Sequence, residues 1–222
     1  MESKKIFIIA LILIGLVGCS QTKETVDFQV TVESPTEAIT NTLTNIEDNT
    51  PEVSLGNWDG STYKNDFLNL SYTLPENWIR YSDDEIMKLM NLGTELAYSD
   101  NEAMKKILDL TSVYYLFAQN ENNYSNVSVF SEKVILDITV EQYLEQVKKQ
   151  LLTQPDFKFV PGEMSSTHIS GIEYKTLDVK VDDFDMIQKY LIRKEGDYFI
   201  GINVTSAIGS VNEIEEIINC FK

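Results

Sequence analysis

The chain has 222 residues, 18 of them basic and 35 acidic, and a formal net charge of −17. A field of that sign repels nucleic acid and anionic lipid headgroups, which removes nucleic acid from the candidate partners. Two cysteines and a single histidine exclude a disulfide framework and a cluster of histidine metal ligands.

The first element is an apolar run. Lys4 and Lys5 precede Ile6–Leu16, which carries no charge. A basic start, an apolar stretch and small residues before a cut site make a secretory signal. From Ile6 to Gly18 a helix would rise only about 20 Å, short of the roughly 30 Å hydrocarbon core, so an uncleaved anchor is the weaker reading. The run ends in Leu16-Val17-Gly18-Cys19, which resembles the lipobox of bacterial lipoproteins. That resemblance implies a diacylglycerol on the Cys19 thiol, cleavage before Cys19, and a cell-membrane address facing the extracytoplasmic side. Two or three acyl chains hold a protein on a bilayer stably where one does not. Removing residues 1–18 takes away two lysines and a glutamate and leaves −18, so the domain is expected to stand off the membrane that holds it.

Residues 19–56 form the second unit, the lipidated terminus and an acidic, Thr-rich linker. It is too poor in aromatics to offset the entropy of ordering, and as a coil it spans about 30–35 Å. Within it Val26-Asp27-Phe28-Gln29-Val30-Thr31-Val32 alternates like a half-buried strand. Such a strand could add to an exposed sheet edge, in this chain or on a partner.

The texture changes at 57, and residues 57–222 suffice for one domain with a sizeable core. Phe67, Leu70, Tyr72 and Leu74 read as a strand closed by Pro75. Four segments fit the capping box, in which a hydroxyl satisfies an orphan N–H and a Glu or Gln reaches back to the cap. They are Ser82–Glu85, Ser99–Glu102, Thr139–Gln142 and Ser210–Glu213, each followed by helical periodicity. The last helix has the apolar stripe Val211, Ile214, Ile217, Ile218 and Phe221, with Cys220 to its side. Val113–Gln119 and Asn126–Glu132 pair around a polar loop. The segment from Glu173 to Ser206 reads as three antiparallel strands, with turns at Asp182-Asp183 and Glu195-Gly196-Asp197. Sequential hairpins with interspersed helices predict an α+β fold, an antiparallel sheet flanked by helices.

One stretch is more specific. "YKNDFLNLSYTLPENW", Tyr63–Trp78, is similar to the opening of PsbP-like domains: Tyr-x-Asn, an aromatic-rich strand, then Pro-x-Asn-Trp. The resemblance implies an α/β/α sandwich. It says nearly nothing about function, because that family's members bind unrelated partners. From the residues alone, Trp78 reads as a core plug at a strand end.

No constellation of catalytic residues stands out. His168, in "MSSTHISGIEY" between expected strands, lies near Ser165, Ser166 and Ser170; a nucleophilic role would need a carboxylate brought from elsewhere. Asp178, Asp182, Asp183 and Asp185 surround one turn but lack the spacing and distal Glu of a calcium loop, so a solvated turn is expected. Cys220 is expected to be structural. No cofactor, metal or catalytic residue is assigned, and Cys19 is the one modification site. The leading expectation is a non-enzymatic binding or accessory lipoprotein acting through a protein or envelope partner. Its rivals are an envelope hydrolase using carboxylates or His168, and a solute or metal receptor of a transporter.

Replacing Cys19 by Ala should abolish incorporation of labelled fatty acid into the chain. Equal labelling of Cys19→Ala and the unaltered protein would end the lipoprotein reading.

Overall fold

The computed structural model describes residues 54–97, 111–134, 137–154 and 157–222, side chains from 93 to 97 aside. The segments around Cys19, Val26–Val32 and Ser99–Glu102 lie outside these residues. The described elements are β1 (Asn57–Asp59), β2 (Thr62–Asn65), β3 (Leu70–Thr73), β4 (Trp78–Arg80) and α1 (Asp83–Ala97). Then come β5 (Ser112–Asn120), β6 (Asn126–Lys133), α2 (Val140–Leu152), β7 (Phe159–Ile169), β8 (Ile172–Val181), β9 (Met186–Glu195), β10 (Tyr198–Ser206) and α3 (Val211–Ile218). Seven strands form an antiparallel sheet in the order β4-β5-β6-β10-β9-β8-β7, and β1-β2-β3 form a smaller one. The expected α+β class is the observed one.

Strand periodicity decides which residues face which layer. Along β10, Ile200, Ile202 and Val204 join Val127 and Val129 of β6 and Leu191 of β9 beneath α3 and the small sheet. Phe199 and Gly201 point the other way, and Gly201 has Phe130 and Ile192 as its register partners. On that face α2 lies across β7, β8 and β9, while α1 covers β5. Tyr143 of α2 stacks on Phe199 with ring centroids 4.4 Å apart. Ile86 and Met90 of α1 pack on Phe117. A Cβ at Gly201 would run into the Phe130 ring, which lies across the bare backbone of β10.

Each described helix starts at an expected cap, with differences in detail. Thr139 and Gln142 make the reciprocal box, with both bonds present. The Glu85 carboxylate accepts from the Ser82 amide at 2.9 Å and from its hydroxyl at 2.7 Å. At α3 the Ser210 hydroxyl accepts from the Glu213 amide, but the Glu213 side chain turns away from its own helix. It accepts instead from Ser125 Oγ and Asn123 Nδ2, each at 2.7 Å, and from Ser206 Oγ.

The Tyr63–Trp78 stretch has a structural reason for its residues. Asn65 is buried, and its amide donates to Ser54 O at 2.8 Å and to Tyr63 Oη at 2.9 Å, while its oxygen accepts from the Leu68 amide. Tyr63 in turn donates to Leu55 O at 2.7 Å. Burial pushes the Tyr63 phenol up to about 12, against the lowering effect of the Asn65 bond. Together these two side chains staple the chain's entry onto β2. Trp78 is buried in the main core, as a plug at a strand end should be.

Two expectations fail locally. Phe67 falls outside β3, because Phe67 and Leu68 belong to the turn that Asn65 ties down, and the strand ends at Thr73, one residue before Leu74. The expected tight turn at Asp182-Asp183 is a short 3-10 segment, Asp182–Phe184, left by Asp185 at φ 49°. His168, expected as a solvent-facing strand or turn residue, is exposed on β7, an 11-residue edge strand. Ser170 and Gly171, at φ 50° and 82°, then make the two-residue turn to β8 that demands positive φ at both positions.

Arg193 joins the two sheets. It is 7% exposed on β9, and donates to Leu68 O at 2.7 Å, Tyr174 Oη at 3.1 Å and Glu195 Oε2 at 2.7 Å. Changing Arg193 to Met should strand a buried carbonyl and a buried phenol, costing about 2–4 kcal/mol. At about 2–4 °C per kcal/mol for a domain of this size, the melting temperature should fall by roughly 5–15 °C. Glu195→Gln, at an exposed carboxylate, should shift it by about 2 °C or less. Equal melting of Arg193→Met and the unaltered chain would refute this role.

Candidate functional site

α3 covers β10 and β9 but does not extend over the β7–β8 corner of the same face. The uncovered ground is a groove of about 290 Å³, lined by Val160 and Pro161 of β7, Ile187 of β9, and Val211 and Ile214 of α3. Its lining is mainly apolar. Val160 is 42% exposed and Val211 59%, although Val211 belongs to the helical stripe whose other members are buried. The expectation that Val211 joins the core is therefore corrected: the stripe is continuous, but the sheet beneath its first turn is not covered. Lys180 and the Asp178–Lys189 pair, 2.9 Å apart, form the polar rim. Lys180 has no ion-pair partner among the described residues. A second hollow of about 270 Å³ adjoins through Lys180 and Ile187, and runs to Asp182, Asp185 and Gly209.

Beside the groove runs the outer edge of β7, which pairs only with β8 among the described residues. Its register shifts between Pro161 and Met164, a bulge that bends the strand where it borders the groove. The site is therefore an apolar hollow next to a strand edge that is unpaired among the described residues, a combination that suits an extended peptide. Sequence reasoning missed it because "FVPGEMSSTHI" contains Pro, Gly and a polar run rather than clean alternation. One signal was present: Val211 on an apolar stripe, in a helix whose first turn is otherwise polar.

The residues weighed as chemical candidates have other partners. Ser166 is hydrogen-bonded to Glu173, which with Lys175 and then His168 holds that carboxyl below its usual range. His168 is exposed and faces Glu173 in the strand register. Ser166 is thus engaged by a carboxylate rather than by the histidine a nucleophile would need. Lys158 Nζ pairs with Asp182 at 2.7 Å, and the Lys158 amide donates to Asp183 Oδ2 at 3.1 Å. Asp178 is committed to Lys189. Among the described residues no three of these carboxylates are grouped to hold a metal ion. Cys220 donates to Glu216 O at 3.4 Å, and burial followed by the Glu216 charge pushes its thiol up, away from the reactive thiolate.

Comparison with known proteins finds no matching family description and no matching curated protein. Among solved structures the chain is similar to cyanobacterial PsbP (CyanoP) from Synechocystis sp. PCC 6803. Identity is 12%, the TM-score is 0.47, and the match covers 78% of this chain and 98% of that one. A crystal structure from Bacteroides thetaiotaomicron matches at 15% identity and a TM-score of 0.39, over 73% of this chain and 48% of that one. Both are likenesses of fold.

Because Asp182 and Asp183 already hold Lys158, millimolar calcium should produce no saturable stabilisation at physiological ionic strength. Any thermal shift should be matched by extra sodium chloride and survive Asp183→Ala. A rise of several degrees that Asp183→Ala abolishes would reveal a calcium site.

Proposed function

We propose that the chain is a lipid-anchored lipoprotein of PsbP-like fold, held by Cys19 on the extracytoplasmic side of the cell membrane. In this reading it binds a protein or envelope partner and carries out no chemistry of its own. The address rests on Lys4, Lys5, the apolar run and Leu16–Cys19. The PsbP-like assignment rests on Tyr63, Asn65 and Trp78, whose side chains form a staple and a plug rather than a ligand platform. The single observation that favours a binder is the apolar groove along the open edge of β7.

Extended peptides bind such surfaces with main-chain bonds for affinity and hollows for alternate side chains. The negative charge of the chain favours a partner that is neutral or basic outside the groove. A photo-activatable residue placed at Val160 or Val211 in cells should yield a discrete adduct, and the same residue at Met87, exposed on α1 over the opposite face of the sheet, should not. Identical adduct patterns from all three positions, or none from any, would remove the groove from the proposal.

A further inference from the structure

The groove and the edge of β7 need an occupant with apolar residues on one side of an extended strand. The chain contains such a segment outside the described residues. In Val26–Val32 the residues Val26, Phe28, Val30 and Val32 alternate with Asp27, Gln29 and Thr31. As a strand its seven residues would run about 23 Å, within the length of β7, and every apolar side chain would share one face. We propose that this segment docks along the β7 edge of its own domain, its apolar face turned toward α3 and Phe28 filling the groove lined by Val160, Ile187 and Val211.

Three considerations select this occupant. The first is reach. The 21 residues between Val32 and Ser54 extend to at most roughly 70 Å, whereas a domain of this size has a radius of gyration of about 15 Å. Every point of the surface is accessible to the tethered segment. The second is concentration: a short tether holds its segment at an effective concentration in the millimolar range, so even a weak contact forms. The third is charge. A second copy of the chain brings another −17 to the same edge, while the tethered segment between Val26 and Val32 brings one carboxylate, on its outward face.

The docked state has a mechanical consequence for the tether. Only Ser20–Thr25 would remain between Cys19 and the strand, about 20 Å when fully extended. A partner peptide competing for β7 would release the whole linker and let the domain move away from its anchor point. The docking itself concerns the chain without any partner, so its failure would leave the partner reading intact.

The test is amide hydrogen exchange on the full-length chain in detergent micelles. In the unaltered protein the amides of 26–32 should exchange at least tenfold more slowly than those of 36–50. Phe28→Asp and Val30→Asp should remove that protection and speed exchange in 159–169, whereas Thr31→Asp, on the opposite face, should keep both. None of these substitutions touches a residue of the sheets and helices described above, and the melting temperature of each variant checks that the domain is still folded. The proposal is overturned if 26–32 exchanges as fast as 36–50, or if Phe28→Asp leaves 159–169 unchanged. It is also overturned if protection grows with protein concentration, which would make the occupant a second copy.

Discussion

The centre of the seven-stranded sheet must be sealed on both faces, and the rest of the molecule is arranged around that requirement. β10 is buried along all but its first residue, its neighbour β6 along all but its last, and β9 through its middle. Each face needs its own cover, which the chain draws from distant segments. α3 and the small sheet seal one side, with α1 and α2 on the other. Apolar burial of this kind is worth about 25 cal/mol per Å² and scales with covered area. Cover is therefore densest over the middle strands and thins toward the edges. The groove beside β7 is the place where it runs out on the α3 side.

Polar contacts have a different distribution. Most of the ion pairs involve exposed carboxylates, as with Lys158–Asp182 and Lys194–Asp137, and contribute little to stability. The polar groups that matter structurally are buried ones with several partners. Asn65 and Arg193 both act on the turn around Leu68, one through its amide and the other through its carbonyl. That turn carries the small sheet onto the large one. The hydroxyl of Tyr72, by contrast, is buried beside Phe221 without a hydrogen-bond partner among the described residues, and burial pushes its phenol far up. Its ring is there for packing.

Local chemistry was legible wherever a residue's role depended on its sequence neighbours. The caps at Ser82, Thr139 and Ser210 bond within three positions, and β9 and β10 are joined at the Glu195-Gly196-Asp197 that announces their turn. Roles that depend on distant segments were not legible. Phe67 and Leu68 look like strand, but Asn65 holds them in a turn. β7 was obscured because an edge strand with a bulge is free to use Pro, Gly and polar residues. Val211 fits the stripe of its helix, and only the extent of the sheet beneath it decides that it stays exposed. The groove, being made of uncovered surface, has no local signature beyond that one residue.

Glu213 carries a consequence for the order of assembly. In place of its own helix's first N–H, its carboxylate clasps Ser125, Asn123 and Ser206, the first two lying 88 and 90 residues earlier in the chain. Closing a loop of that length costs entropy before any bond across it forms. The β5–β6 turn and the end of β10 must therefore already be side by side when the start of α3 locks. The clasp belongs to the late part of folding, and weakening it would hasten the escape from the native state more than it would delay arrival there.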